Sequence, residues 1–142
     1  MKKGKKLSRH NVEQMAKGYL MYQLARRGYN VQITDSRFPT VDLLVVSPSG
    51  KHFGIDVKGQ RTKNFWRFNE REPKAGFYFA FVYVPEDGGQ RVFIMKSATA
   101  MQLWLEYKNK AIARGVDGES IWPGMNWSQP HPYEDRYDLL PQ

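Results

Sequence analysis

The first hydrophobic pattern along the chain has the spacing of an α-helix. Apolar residues recur every three or four positions and form one stripe, made of Val12, Met15, Ala16, Tyr19, Leu20 and Leu24. This pattern predicts a helix from about Asn11 to Arg27. Asn11 can cap the helix, with Gln14 three residues later as in a capping box, and Gly28 then ends it. Residues 1–10 ahead of the helix are predicted to form a flexible basic arm.

The segments that follow have the patterns of β-strands. Residues 29–34 alternate between apolar and polar as in a half-buried strand, and residues 41–46 are apolar except for Asp42. Pro48 to Gly50 is a turn sequence, and residues 52–58 return as the second arm of a hairpin. This part of the chain is therefore predicted to contribute neighbouring strands to one sheet.

A second strand pair and a second helix are predicted further on. Residues 77–84 are aromatic and β-branched, and residues 91–95 pair back after the turn at 85–89. Ser97 can cap a helix that carries several apolar residues and ends before Gly115. The pattern therefore returns to a helix after the last predicted strand.

The tail from Val116 carries aromatic residues among prolines. It is predicted to pack over the core without regular structure, apart from a short helical turn near Tyr137. The whole order of elements predicts an α/β sandwich with a central mixed β-sheet flanked by helices. Residues 11–142 are predicted to form a single domain, since the 142 residues of the chain fit one core.

Composition narrows the functional classes. Cysteine is absent, which excludes disulfides, thiolate zinc sites and a cysteine nucleophile. No apolar run approaches the roughly 20 residues that cross a bilayer, and the basic N-terminus lacks the apolar stretch of a signal peptide. We therefore expect a cytoplasmic protein that does not bind a membrane.

The positive charge is concentrated in the first half of the chain. The net charge is +8, and residues 1–74 hold 16 Lys and Arg against 6 Asp and Glu, whereas residues 75–142 hold 6 against 8. Such an asymmetry favours a polyanionic partner whose phosphates the basic region neutralises. DNA is the predicted partner and RNA is not excluded; the alternative is a basic surface that only aids solubility.

Three residues carry the candidate chemistry: Asp42, Asp56 and Lys58. Residues two apart in a strand point to the same face, so Asp56 and Lys58 project together, while Ile55 and Val57 project into the opposite layer. Asp42 interrupts an apolar strand, where an unpaired carboxylate is costly, and the hairpin can bring Asp56 beside it. Two adjacent carboxylates repel each other unless a cation lies between them.

These residue types meet the needs of phosphodiester hydrolysis. Carboxylate oxygens hold Mg²⁺, which lowers the pKa of a bound water and offsets charge on the phosphoryl oxygens. A neighbouring lysine can orient that water or stabilise the same charge. The alternative is a solvated strand face with a weak surface ion pair between Asp56 and Lys58.

The segment Thr40 to Val46, followed by a turn and by Gly54-Ile55-Asp56-Val57-Lys58-Gly59, resembles the PD-(D/E)XK nuclease superfamily, which has the restriction-endonuclease-like fold. The preceding helix and the strand pair before Ser97 are also similar to that superfamily, so the resemblance covers about residues 11–110. It implies that Asp42 and Asp56 bind metal with a contribution from the Val57 carbonyl. It also implies that Lys58 is catalytic and that the metal is Mg²⁺, for which Mn²⁺ substitutes.

Two further residues are candidates because of this resemblance. Many members of the superfamily carry a glutamate on the first helix, and the matching place here is near Lys17. Glu13, one turn earlier, could serve as a metal ligand instead; the alternative is an i,i+4 ion pair between Glu13 and Lys17. Gln60 follows Lys58 by two and is predicted to border the active site, unless it is an ordinary loop residue.

The stretch from Gly59 to Lys74 interleaves basic and aromatic residues. Basic groups can bind phosphate while aromatic faces stack on unpaired bases. The candidates for nucleic-acid binding are Arg61, Lys63, Trp66 and Arg67. Alternatively, the aromatic residues of this stretch, Phe65, Trp66 and Phe68, only anchor a long loop to the core.

Three functional hypotheses follow from the sequence. The first is a metal-dependent DNA endonuclease built on Asp42, Asp56 and Lys58, for which a homodimer is one compatible state. The second is a nucleic-acid-binding module on the same fold that has lost catalysis, as the missing helix glutamate suggests. The third is an interaction protein whose basic half binds an acidic partner. Metal binding and cleavage separate the first from the other two.

Overall fold

The computed structural model describes residues 6–35 and 41–142. The elements, in chain order, are α1 (Arg9–Ala25), β1 (Asn30–Ile33), β2 (Leu43–Val46), β3 (His52–Gln60), β4 (Trp66–Arg67), β5 (Phe77–Tyr83), β6 (Arg91–Lys96), α2 (Ser97–Ala113) and β7 (Gly124–Met125). The five long strands form one sheet in the order β1-β2-β3-β5-β6, in which only β3 and β5 are parallel. The predicted α/β fold with a mixed central sheet is confirmed.

The first helix begins two residues earlier than the sequence pattern indicated. Ser8 is the N-cap, since its hydroxyl accepts a hydrogen bond from the Asn11 N–H at 3.1 Å. The Asn11 side chain accepts in turn from the Ser8 N–H, so Asn11 closes a capping box and is not the cap itself. The predicted arm of residues 1–10 is therefore wrong for residues 9–10, which are helical, and its residues 1–5 lie outside the described residues. Gly28 has a φ of +89° and forms the turn after the helix, as predicted.

The register of the sheet places the strand residues on the faces that their alternation predicted. In the β2–β3 hairpin Leu43 lies opposite Ile55, and in the parallel pair Asp56 lies opposite Phe79. The strand β3 runs two residues beyond the predicted end because Gly59 and Gln60 continue to pair with β5. Thr40, the first residue of the motif described above, lies outside the described residues.

The two faces of the sheet pack against different cores. Under α1 the buried side chains are mostly aliphatic and include Leu20, Leu24, Leu43, Val45, Ile55, Val57, Ala80, Val82 and Ile94. The opposite face packs against α2 and the tail through mostly aromatic side chains, which include Trp66, Phe68, Phe79, Phe81, Phe93 and Trp104. Each α-helix covers its own face of the sheet, so the arrangement is a layered α/β structure.

Two predictions for the second half of the chain need correction. Lys96 holds the N-cap position of α2, whereas Ser97 is buried and exchanges hydrogen bonds with the backbone of Lys74, at 3.0 and 3.1 Å. The tail has more regular structure than predicted, because β7 pairs with β4 and two further 3₁₀ turns flank it, at Gly118–Ser120 and His131–Tyr133. The predicted turn near Tyr137 is confirmed as a 3₁₀ turn, Tyr137–Leu139.

Within residues 6–35 and 41–142, neither α-helix is both long and apolar enough to cross a lipid bilayer.

Candidate active site

The carboxylates of Asp42 and Asp56 meet where β2 begins beside β3. The Asp42 N–H donates to the Ile55 carbonyl at 3.0 Å, which continues the hairpin register and sets Asp42 opposite Asp56. The two carboxyl groups lie close enough to shift each other's pKa, which lowers the pKa of Asp42 and raises that of Asp56. The structure therefore places the two predicted acids opposite each other with their side chains on one side, although Asp42 lies one residue before β2, because the predicted strand at 41–46 begins only at Leu43.

Asp42 is held by the backbone and by a lysine from α1. Its Oδ2 atom accepts a hydrogen bond from the Val57 N–H at 2.8 Å, and its Oδ1 atom lies 3.4 Å from the Lys17 Nζ. Partial burial raises the pKa of Asp42, but hydrogen bonds from Asp56 and Val57 and the charge of Lys17 outweigh it. The net result is a pKa below the ordinary range, so Asp42 is the acid of the pair that stays ionised.

Lys17 reaches Asp42 because α1 packs unusually close to β3. A Cβ atom on Gly59 would lie 2.5 Å from the Ala16 Cβ and 3.4 Å from the Val12 carbonyl oxygen. Only a residue without a side chain fits between strand and helix at that point. The close contact at Ala16 therefore brings the next residue of the helix, Lys17, to the edge of the candidate site.

Asp56 is buried and lies between two cations. Only 7% of the residue is exposed, its Oδ1 atom is 3.5 Å from the Lys58 Nζ, and its Oδ2 atom accepts a hydrogen bond from the Arg71 guanidinium. Burial raises the pKa of Asp56 to about 6; contact with Asp42 adds to the rise, and Lys58 and Arg71 oppose it. The pair thus combines one carboxyl group whose pKa is lowered with one whose pKa is raised to about 6.

Sequence reasoning missed the roles of Lys17 and Arg71. Arg71 belongs to the basic stretch noted above, but only the fold shows that its guanidinium lies 4.5 Å from the Phe79 ring centre and bonds to Asp56. The alternative in which Glu13 pairs with Lys17 is also wrong, because Glu13 pairs with Arg9 at 3.6 Å and Lys17 with Asp42. Helical spacing permits both partners of Glu13, so the sequence alone did not decide between them.

The acids open onto a cleft of about 450 Å³ with a polar lining. The charged residues that line it are Arg9, Glu13, Lys17, Asp42, Asp56, Lys58, Arg67, Glu70 and Arg71. Among the described residues no three acidic or histidine side chains come close enough together to hold a metal ion. Glu13 lines the cleft but does not join the two aspartates, so the arrangement does not support its predicted role as a metal ligand.

Val57 contributes backbone atoms to the same place. Within a strand, the N–H and C=O of one residue point towards the same neighbouring strand. Because the Val57 N–H donates to Asp42, the Val57 carbonyl faces the same edge of β3. The groups that could hold a divalent ion are therefore two carboxylates and one carbonyl, a set of oxygen atoms that suits Mg²⁺ with several waters retained.

Gln60 points to the same side of β3 as Asp56 and Lys58 and lines the cleft. Its amide donates a hydrogen bond to the Asn64 carbonyl at 2.7 Å. The side chain therefore shapes the turn between β3 and β4 at the edge of the site. A direct catalytic role for Gln60 stays a prediction.

The four predicted nucleic-acid contacts are in different environments. Trp66 is 2% exposed, stacks on Trp127 and donates its indole N–H to the Trp127 carbonyl, so its ring is not available to stack on a base. For Trp66 the alternative of anchoring the loop is the one the structure supports. Arg67 is exposed and lines the cleft, Arg61 is half-buried, and Lys63 is exposed.

Comparisons of this chain with protein-family models, with curated proteins and with solved structures gave no significant match.

Proposed function

We propose that this protein is a metal-dependent nuclease that hydrolyses phosphodiester bonds of DNA, on a restriction-endonuclease-like form of its α/β fold. The observation that carries the proposal is the convergence of Asp42, Asp56 and Lys58 in a cleft that basic side chains line. Each of these groups has a use in hydrolysis of a phosphodiester. A strand face with a chance ion pair would be solvated, whereas Asp56 is buried beside a second carboxyl group, an arrangement that is costly unless both groups are paired.

Asp42, Asp56 and the Val57 carbonyl would hold Mg²⁺ or Mn²⁺. When bound, the ion lowers the pKa of a water molecule and offsets negative charge on the phosphate. The donor set fits such an ion, because Mg²⁺ in nucleic-acid enzymes commonly takes one or two carboxylates and keeps waters for its other positions. The pKa of Asp42 is lowered and that of Asp56 is about 6, so both carboxylates are ionised at neutral pH and can bind the ion in competition with their cationic partners.

The cations around the pair have separate uses in this proposal. Lys58 lies beside Asp56 and can orient a water molecule or stabilise charge that develops on the phosphoryl oxygens. Lys17 holds Asp42, and Arg71 holds Asp56, so the carboxylates are charge-balanced before substrate enters. Arg9 and Arg67, also in the cleft, can bind the phosphates on either side of the scissile bond.

The test is cleavage and metal binding by matched variants. Wild type, Asp56→Asn and Asp138→Asn are incubated with plasmid, linear duplex, branched and single-stranded DNA in Mg²⁺ or Mn²⁺, with a chelator control. Asp138 is a suitable control because it pairs only locally with Arg136 at the surface. We expect wild type and Asp138→Asn to cut at least one substrate and to bind Mn²⁺ in calorimetry, whereas Asp56→Asn does neither. Cleavage at an equal rate by wild type and Asp56→Asn would contradict the proposal.

One observation favours the second hypothesis, a nucleic-acid-binding module without catalysis. Both aspartates already have cationic partners in the chain, and a lysine lies beside Asp42 on the helix face where the superfamily resemblance leads one to expect an acid. Such internal ion pairs satisfy the carboxylates without any metal. Wild-type protein that binds DNA with a strong dependence on salt, yet cuts none of the panel in any divalent metal, would support this alternative.

A further inference from the structure

A second pocket lies next to the cleft and shares one wall with it. Its cavity volume is about 310 Å³, within the roughly 300–1,000 Å³ of small-ligand pockets. The residues that line it are Phe65, Tyr107, Ala111, Arg114, Val116, Ser120, Ile121 and Trp122. Phe65 also lines the cleft, so this residue is shared by the two cavities. We refer to this second cavity as the Trp122 pocket.

Trp122 is an exposed aromatic side chain in a defined position. Its exposed fraction is 61%, although a tryptophan that served only to fill the core would be buried. The Arg67 guanidinium lies 4.8 Å from the Trp122 ring centre, and the Phe65 ring meets it edge-on at 6.5 Å. The strand β7 starts two residues later and pairs with β4, which contains Arg67. The indole is therefore held beside the cleft by Arg67 of β4 and by Phe65, which immediately precedes that strand.

We propose that the Trp122 pocket binds an unpaired nucleobase of a strand whose phosphates lie in the cleft. The inference rests on the proposed nuclease function and specifies its substrate class: single-stranded or branched nucleic acid with unpaired bases. Aromatic rings such as Trp122, Phe65 and Tyr107 stack on the π-face that every base presents. A base inside a continuous duplex is stacked on its neighbours and cannot enter a pocket without being extruded.

The positive charges around the Trp122 pocket suit a nucleobase with its flanking phosphates. Arg67 touches the Trp122 ring and also lines the cleft, so one side chain joins the two cavities, and Arg114 lines the far side of the pocket. Both arginines can bind the phosphates that flank a stacked base. A strand that crosses from the cleft to the pocket therefore meets positive charge and aromatic surface in turn, as single-strand binding grooves require.

The test measures binding by fluorescence anisotropy in Ca²⁺, which allows binding without requiring cleavage. The probes are a labelled single strand of DNA, the RNA strand of the same sequence, and the matching DNA duplex. The variants are Trp122→Ala, Trp122→Phe, which keeps a stacking ring, and Tyr22→Ala as the control. Tyr22 is a matched control because it is also 61% exposed and has Arg26 5.9 Å from its ring, but it lies on α1 rather than beside β4 and β7.

We expect Trp122→Ala to weaken binding of the single strand by roughly 5- to 150-fold, the range for the loss of one base–aromatic stack. Duplex binding should change less than twofold, Trp122→Phe should recover most of the affinity, and Tyr22→Ala should bind as wild type does. Weaker binding of the DNA strand or of the RNA strand by Trp122→Ala supports the proposal. The strand that is affected shows whether the pocket takes a base from DNA or from RNA. Equal weakening of single strand and duplex, or no weakening at all, would overturn the proposal.

A scan with abasic sites makes the test more specific. One base at a time is removed from the single strand while its phosphates are kept. Wild type should lose affinity at one position, and Trp122→Ala should be indifferent to the same change, since the partner of that base is already gone. Losses that are the same in both proteins at every position would contradict the assignment of a base to this pocket.

The outcomes for the pocket and for the nuclease are separable. If wild type cuts DNA but Trp122→Ala binds single strands unchanged, the pocket proposal fails and the nuclease proposal stands. If Trp122→Ala loses single-strand affinity while wild type cuts nothing, the pocket stands on a protein that only binds. Wild type that binds neither single strand nor duplex at low salt would overturn the pocket proposal.

Discussion

The two faces of the central sheet differ in the surroundings that they give to the side chains of β3. On the face covered by α1, Ile55 and Val57 of β3 are buried in an aliphatic layer. On the other face, Asp56 and Lys58 of the same strand point into a charged cleft. Because side chains alternate between the two faces, Ile55 and Val57 contribute to the core, whereas Asp56 and Lys58 belong to the candidate site. We therefore expect a substitution in β3 to affect folding if the residue faces α1, and function if it faces the cleft.

The largest expected effect is on the aliphatic face. Ile55 is fully buried, so Ile55→Ala should lower the free energy of unfolding by about 2–5 kcal/mol. Urea denaturation followed by circular dichroism measures the change. The protein that remains folded should cut DNA at the wild-type rate per molecule, because Ile55 does not line the cleft. A folded Ile55→Ala protein without activity would show that the two faces are not independent.

The next effect is on the polar face. Lys58→Met keeps the length of the side chain and removes its charge, so it should lower kcat about 10²–10³-fold while binding changes little. Single-turnover cleavage in Mn²⁺ and binding in Ca²⁺ separate the two quantities. Its unfolding midpoint in urea should stay close to that of wild type, because Lys58 is only half-buried. An equal loss of binding and rate would instead make Lys58 one phosphate contact among many.

The alternation of β3 is also the reason why sequence reasoning predicted this part of the site. Period-two patterns and the Pro48–Gly50 turn determine the register, and the register places Asp42 opposite Asp56. Lys17 and Arg71 could not be found in this way, because they reach the site through tertiary packing of a helix and a long loop. The same is true of Trp66, whose aromatic ring suits a core and a binding surface equally well until the fold shows its burial.

A third prediction concerns the close contact between α1 and β3 at Gly59. Gly59→Ala puts a methyl group within 2.5 Å of the Ala16 Cβ, so α1 must move away from β3. Overpacking of this kind costs about 1–3 kcal/mol of stability, measured by urea denaturation. Because α1 carries Lys17, we also expect weaker DNA cleavage than the loss of stability explains. As a control, Gly18→Ala should leave cleavage unchanged and raise stability by about 0.5–1 kcal/mol, since nothing lies within 4 Å of its added carbon and alanine favours the helix.

The acid pair predicts a dependence of metal binding on pH. Burial raises the pKa of Asp56 to about 6, so below this pH Asp56 takes up a proton that the metal must displace. The pKa of Asp42 is lowered, so Asp42 stays ionised through the same range. Calorimetry should therefore give a Kd for Mn²⁺ that is nearly constant above pH 7 and rises up to tenfold per pH unit below pH 6. A Kd that stays constant from pH 7 to pH 5 would contradict metal binding by Asp56.

The smallest effect concerns two surface cations of the same loop. Arg67 lines the cleft, whereas Lys63 is exposed beyond the turn that Gln60 holds. Arg67→Gln should reduce the slope of log affinity against log salt concentration by about one for duplex DNA, because one phosphate contact is lost. Lys63→Gln should leave the slope unchanged. Equal slopes for the two variants would indicate that duplex DNA does not bind along the cleft.

The pairing of β4 with β7 has a consequence for the order of folding. Trp66, which lines the cleft, pairs with Met125, so this part of the cleft is held by a residue far away in sequence. Contacts between residues far apart in sequence form late, because closing the long loop between them costs conformational entropy before the contact adds stability. During synthesis the hairpin with Asp42 and Asp56 leaves the ribosome well before Met125 does. The acids can therefore meet while the loop that carries Arg67 and Arg71 is still open, and the cleft is complete only after β7 has paired with β4.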